Sequence, residues 1–185
     1  MIFGLFRRSR NKAVIGRLHG DIMAAVRQPV LYAQWGVADT FEGRFEVLSL
    51  MATLVVRRLA QLPAPAADLS QDLTDRIFTE VDSAMREMGV GDLTVPKRIK
   101  KLAAGFLGRR QAYDAALNGR DAVALAQAIS RNVYGLEPTE GAERAAPLAR
   151  YALGVDLALQ GASLDQFING PLAFPPADAA LEQGA

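Results

Sequence analysis

Apolar side chains recur every three to four residues along most of this chain, and that spacing limits what it can fold into. In 39–62 the set is Phe41, Phe45, Leu48, Ala52, Val55 and Leu59; in 68–88 it is Leu69, Leu73, Ile77, Val81, Ala84 and Met88. Each set falls on one face of a helix with 3.6 residues per turn. The strictly alternating β-branched runs that a half-buried strand needs do not occur.

Local signals place the helix ends. A first helix is expected over about 10–27, stopping before Pro29. "DTFE" (39–42) has the outline of a capping box, with Asp39 accepting from first-turn amides and Glu42 three residues on. The helix it starts ends at "PAPAA" (63–67). A third helix spans about 68–88, and Gly89 supplies a left-handed stop. Thr94 caps the next, Pro96 sits in its first turn, and Asn118-Gly119 ends it. Shorter helices are expected at about 121–134 and 142–160, with Ser163 capping a last turn through Phe167. The architecture expected is a single all-α bundle of six or seven helices. Within it, 1–28 is a basic N-terminal segment with the first helix, 29–170 the main helical domain, and 171–185 a flexible tail rich in Pro and Ala.

Several function classes drop out early. The chain has no cysteine and one histidine, His19, so thiolate and multi-histidine metal sites are excluded and no second histidine can act as a shuttle. The longest apolar-leaning run without a charge, "VLSLMATLVV" (47–56), is far short of the roughly 20 residues a spanning helix needs. Phe3, Leu5 and Phe6 beside Arg7, Arg8 and Arg10 can rest on an anionic membrane surface or simply fray. Asp68, Asp72 and Asp75 share one helical face, with Asp82 two turns on. Such acids can hold Mg²⁺ for a diphosphate substrate, as in all-α isoprenoid synthases. That chemistry needs a second acidic motif and a longer chain, so acids favoured by the helix dipole are the simpler reading. No cofactor and no enzymatic activity are expected.

Charge is divided along the chain. Residues 86–110 carry seven basic groups against Glu87 and Asp92, residues 1–28 carry six against Asp21, and residues 137–185 carry seven acids against Arg144 and Arg150. A basic face toward an anionic partner follows. The stretch "REMGVGDLTVPKRIKKLAAGFLGRR" (86–110) concentrates it. It lacks the third glycine of a dinucleotide fingerprint and the Gly-Lys-Ser/Thr of a P-loop, and a helix rather than a strand precedes it. On a helical wheel Ile99, Leu102, Phe106 and Tyr113 cluster on one side, while Lys97, Arg98, Lys100 and Lys101 occupy the other. Few aromatics interleave with the basic residues, which argues against sequence-specific nucleic-acid binding.

"YAQWGVADTFEGRFE" (32–46), "IFTEVDSAMREMGVGDLTVPKRIKKLAAGFLGRRQAYDAAL" (77–117) and "ISRNVYG" (129–135) resemble the ubiquinol–cytochrome c chaperone family. The resemblance covers roughly 30–135; residues 136–185 match no feature of it. It implies an all-helical assembly factor for the cytochrome bc1 complex that binds newly made cytochrome b until haem and partner subunits are in place. In mitochondria such proteins work with a small second protein and associate with ribosomes. This chain shows no transit peptide, so a bacterial, cytoplasmic protein is expected, working peripherally at the inner membrane. Partner contact is expected at Lys97, Arg98, Lys100 and Lys101, with Trp35 either an apolar anchor or core. Asp82, Arg86, Asp92 and Arg109 are expected to form an ion-pair network fixing the turn shaped by Gly89 and Gly91. The competing reading is a ribosome- or RNA-associated, or membrane-surface, binding factor.

Overall fold

The computed structural model describes residues 2–177, with side chains from Asn11 onward. The chain forms α1 (Ile2–Val26), α2 (Pro29–Ala33), α3 (Phe41–Leu59), α4 (Ala66–Glu87), α5 (Val95–Asn118), α6 (Ala122–Ile129), α7 (Ala142–Gln160) and α8 (Leu164–Asn169). A π-helical turn, Ser130–Tyr134, continues α6. No strand occurs among the described residues. Seven of these helices have six residues or more, matching the all-α bundle that the periodicity predicts.

The bundle is organised around α3. Every residue from Val47 to Val56 is buried, and α1, α4, α5 and α7 all pack on this helix. A helix apolar all round is stable only when enclosed in this way. The Thr53 hydroxyl is satisfied within the helix, donating to the Ser49 carbonyl at 2.8 Å. Leu18 and Ile22 of α1 are fully buried in the same core, so the N-terminal helix and the rest of the bundle share one interior.

Two helix starts differ from expectation. Thr40, not Asp39, caps α3: its backbone is extended (φ −121°, ψ 169°) and its side chain accepts from the Gly43 amide at 3.1 Å. Asp39 lies one residue too early and pairs with Arg44 at 2.6 Å. A Cβ at Gly43 would strike the Ala38 carbonyl, so glycine lets the preceding loop cross the first turn. Thr94 occupies the cap position of α5, but its helical backbone (φ −92°, ψ −35°) leaves its hydroxyl without a first-turn amide. Ser163 caps α8 as expected, in a reciprocal box with Gln166.

Residues 171–177, within the segment expected to be a flexible tail, lie along α1. The Leu172 amide donates to Asp21 at 2.9 Å and the Ala177 amide to Gln28 at 2.6 Å. Residues 178–185 lie outside the described residues, as do the side chains of Phe3, Leu5, Phe6, Arg7, Arg8 and Arg10, for which membrane contact was considered.

Candidate partner-binding face

The α4–α5 turn is built by backbone geometry first. Gly89 has φ +80°, and its amide donates to the Arg86 carbonyl at 2.9 Å while the Val90 amide reaches back to Met85 at 3.1 Å. This pair of bonds is a Schellman closure, which needs the left-handed backbone that glycine supplies. Gly91 has no such requirement: its φ is not positive, and a Cβ there would meet open space. Arg86 then links the two sides of the turn, bonding Asp82 at 2.6 Å and Asp92 at 2.5 Å.

Arg109 does not join this network. It makes a bidentate pair with Glu46 of α3, a residue the sequence reading had not singled out. Burial raises the Glu46 carboxyl pKa, and the Arg109 hydrogen bonds and charge oppose that rise. A Cβ at Gly105 would collide with the Arg109 guanidinium, so this glycine gives the arginine a seat across the helix backbone. Arg57, at the other end of the buried run of α3, bonds Asp156 at 3.2 Å, Asp114 at 3.5 Å and Asn118 at 2.7 Å. It ties α3, α5 and α7 together. Glu46 and Arg57 are the two charges that bound "VLSLMATLVV", and that position was the available signal for both.

Between α3, α4 and α5 lies a groove of about 530 Å³. Phe41, Phe45, Met85 and Leu102 form its apolar walls, with Arg98, Lys101 and the Glu46–Arg109 pair also lining it. Beneath it Phe45, Phe78 and Phe106 pack as a chain, with ring centroids 6.4 Å and 5.8 Å apart. All four expected contact residues, Lys97, Arg98, Lys100 and Lys101, are exposed, but they divide between two faces. Arg98 and Lys101 border the groove, and Lys97 and Lys100 do not line it. A narrower pocket of about 240 Å³ adjoins the groove, sharing Phe41 and Phe45, and contains half-buried His19. Burial lowers the His19 pKa, with Glu80 acting in the opposite direction.

Trp35 belongs to the interior. It is 4% exposed, packs against Tyr151 with centroids 5.8 Å apart, and its carbonyl accepts from the Tyr134 hydroxyl at 3.0 Å. As placed, it cannot serve as a surface anchor. Gly36 follows with φ +69°, and its carbonyl accepts from Arg144 at 3.0 Å. Asp68, Asp72 and Asp75 line a separate groove of about 700 Å³ between α1 and α4, shared with Lys12 and Arg76. Asn11 donates to Asp72 at 3.3 Å and Gln71 to Asp75 at 2.8 Å. Among the described residues no group of three His, Cys, Asp or Glu is placed to hold a metal ion.

A family model described as ubiquinol–cytochrome c chaperone matches residues 33–174, well beyond the 30–135 stretch that carried the resemblance. A search of curated proteins gave no match. Among solved structures, the Cbp3 homolog from Brucella abortus is similar over 96% of this chain and 98% of that chain, at 40% identity and a TM-score of 0.84.

Proposed function

The chain belongs to the ubiquinol–cytochrome c chaperone family, and from that premise we propose that it supports assembly of the ubiquinol–cytochrome c reductase (bc1) complex by binding newly made cytochrome b, without catalysing a reaction. The observation that carries this reading is the groove between α3, α4 and α5: apolar walls, with two exposed cations, Arg98 and Lys101, at its edge. A client rich in membrane-spanning helices presents apolar segments flanked by charged loops. One such segment can lay its side chains along Phe41, Phe45, Met85 and Leu102, the helix-in-groove mode of recognition. Arg98 and Lys101 would meet an acidic flank and set direction and encounter rate more than affinity. Among the described residues no helix is long and apolar enough to cross a membrane; the protein is proposed to work from the cytoplasm, peripherally at the inner membrane.

Affinity capture of the tagged chain from cells making cytochrome b, in mild detergent, tests this. Cytochrome b should be enriched, and the enrichment should fall about tenfold or more in Arg98→Glu/Lys101→Glu, as expected when two close charge pairs become repulsive. Loss in Leu102→Asp with retention in the charge variant would keep the client and make apolar contact dominant. Absence of cytochrome b from the wild-type capture would sink the reading. The two basic segments motivate the second reading; recovery of ribosomes or RNA without cytochrome b would favour it.

A further inference from the structure

The outer face of α5 and the turn before it carry a feature that the groove does not use. Leu93, at the tip of the α4–α5 turn, is 89% exposed, and Leu107, two helical turns beyond Lys100, is 59% exposed. Lys97, Lys100, Ala104 and Leu107 follow one another at spacings of three and four, so they form one stripe of the helix, and all are exposed. The basic side chains of α5 with carboxylate partners among the described residues are Arg109 and Arg110; Lys97 and Lys100 have none. A folded chain that leaves large aliphatic side chains in water beside unpaired cations has the composition of an interfacial surface.

We propose that this surface, Leu93 and Leu107 with Lys97 and Lys100, docks the protein onto an anionic lipid bilayer. The lysines meet headgroup phosphates, and the two leucines enter the boundary between headgroups and acyl chains. Charge complementarity favours this occupant: Lys97 and Lys100 have no carboxylate partner among the described residues, and Leu93 lines none of the grooves described above. RNA would call for exposed aromatic rings to stack on bases, and Phe106, the one aromatic residue between 86 and 111, is buried. Each lysine near an anionic surface contributes about a fivefold gain in partition. Each inserted leucine adds on the order of tenfold. The inference concerns the outer side of α5 and holds whether or not the groove takes cytochrome b. It gives docking and client contact separate residues on one helix.

Flotation of the full chain with phosphatidylglycerol/phosphatidylcholine vesicles, against phosphatidylcholine alone, is the test. The wild type should float with the anionic vesicles only. Leu93→Gln/Leu107→Gln should bind them at least tenfold more weakly, and Lys97→Gln/Lys100→Gln roughly twentyfold or more. Every substituted side chain is exposed, so circular dichroism should show unchanged helicity. Equal binding to neutral vesicles, no binding to anionic ones, or full binding by the double-leucine variant would each overturn the proposal.

Discussion

Arg86 and Arg109 sit on either side of the same turn, and each meets carboxylates, yet their surroundings differ. Arg86 has two acidic partners, Asp82 and Asp92, but its side chain is 42% exposed and that of Asp92 is 87% exposed. Arg109 has one partner, with exposures of 23% for the arginine and 12% for Glu46. Counting partners would rank Arg86 first. Burial reverses the order, because water screens the first cluster and substitutes for either member once it is lost. At the second, removing one member strands the other where water cannot fully solvate it. The exposed cluster trims the turn, whereas the half-buried pair joins α3 to α5 across the wall of the groove.

The largest effect expected from this contrast is that of Arg109→Ala. Discounted for partial exposure, the loss should be about 2–3 kcal/mol, read as a shifted urea midpoint at unchanged slope. Its pH dependence has a definite sign. The folded pKa of Glu46 lies above its ordinary value of 4.5, and Arg109 is what opposes the rise. Without the arginine the folded state prefers the protonated acid still more, so the native state binds protons that the unfolded state releases. Stability then falls as pH rises through that window. The penalty should therefore be greatest at neutral pH and shrink as the pH approaches and passes below 4.5. A loss independent of pH would mean that Arg109 matters for packing alone.

Glycine substitutions sharpen the comparison at the next level. Gly89→Ala should cost about 1–2 kcal/mol, since φ +80° is strained for alanine while open space surrounds the new methyl. Gly91→Ala should be near neutral. Gly105→Ala is the more telling change. Alanine improves the helix by about 1 kcal/mol, but its methyl meets Arg109 Nη1, the guanidinium nitrogen not bonded to Glu46, and must push the group from its seat beside the pair. The expected result is a net loss of about 1 kcal/mol in the native background and a gain of similar size in Arg109→Ala. The same sign in both backgrounds would break the link between this glycine and the ion pair.

Much of this organisation was legible in the sequence. Helix periodicity gave the bundle, and Gly89, Asn118-Gly119 and Ser163 marked ends because turns and caps are written in local chemistry. Arg109 was misassigned for a different reason. Spacing along a helix shows which face a charge occupies, not which distant helix will face it, so Glu46 remained hidden although it borders the buried run of α3. Arg57, bordering the other end, was hidden likewise. Trp35 was ambiguous because a tryptophan between helices can serve as core or contact, and only the position of Tyr151 decides. The basic patch was visible as a set, but its split between the groove and the outer face depends on where α3 and α4 pack.

The smallest effect belongs to Arg86. Arg86→Ala should shift the urea midpoint far less than Arg109→Ala does, as expected of exposed ion pairs, and added salt should remove most of that shift. The Schellman bonds at Gly89 and Val90 are made by the backbone and survive the substitution, so the turn should keep its shape. Urea titrations of Arg86→Ala and Arg109→Ala at low and high salt place the two arginines on one scale. If Arg86→Ala shifts the urea midpoint at high salt as far as Arg109→Ala does, exposure is not what separates them. The Asp82–Arg86–Asp92 bridge would then be setting the path of the chain into α5, and through it the positions of Arg98 and Lys101 at the groove.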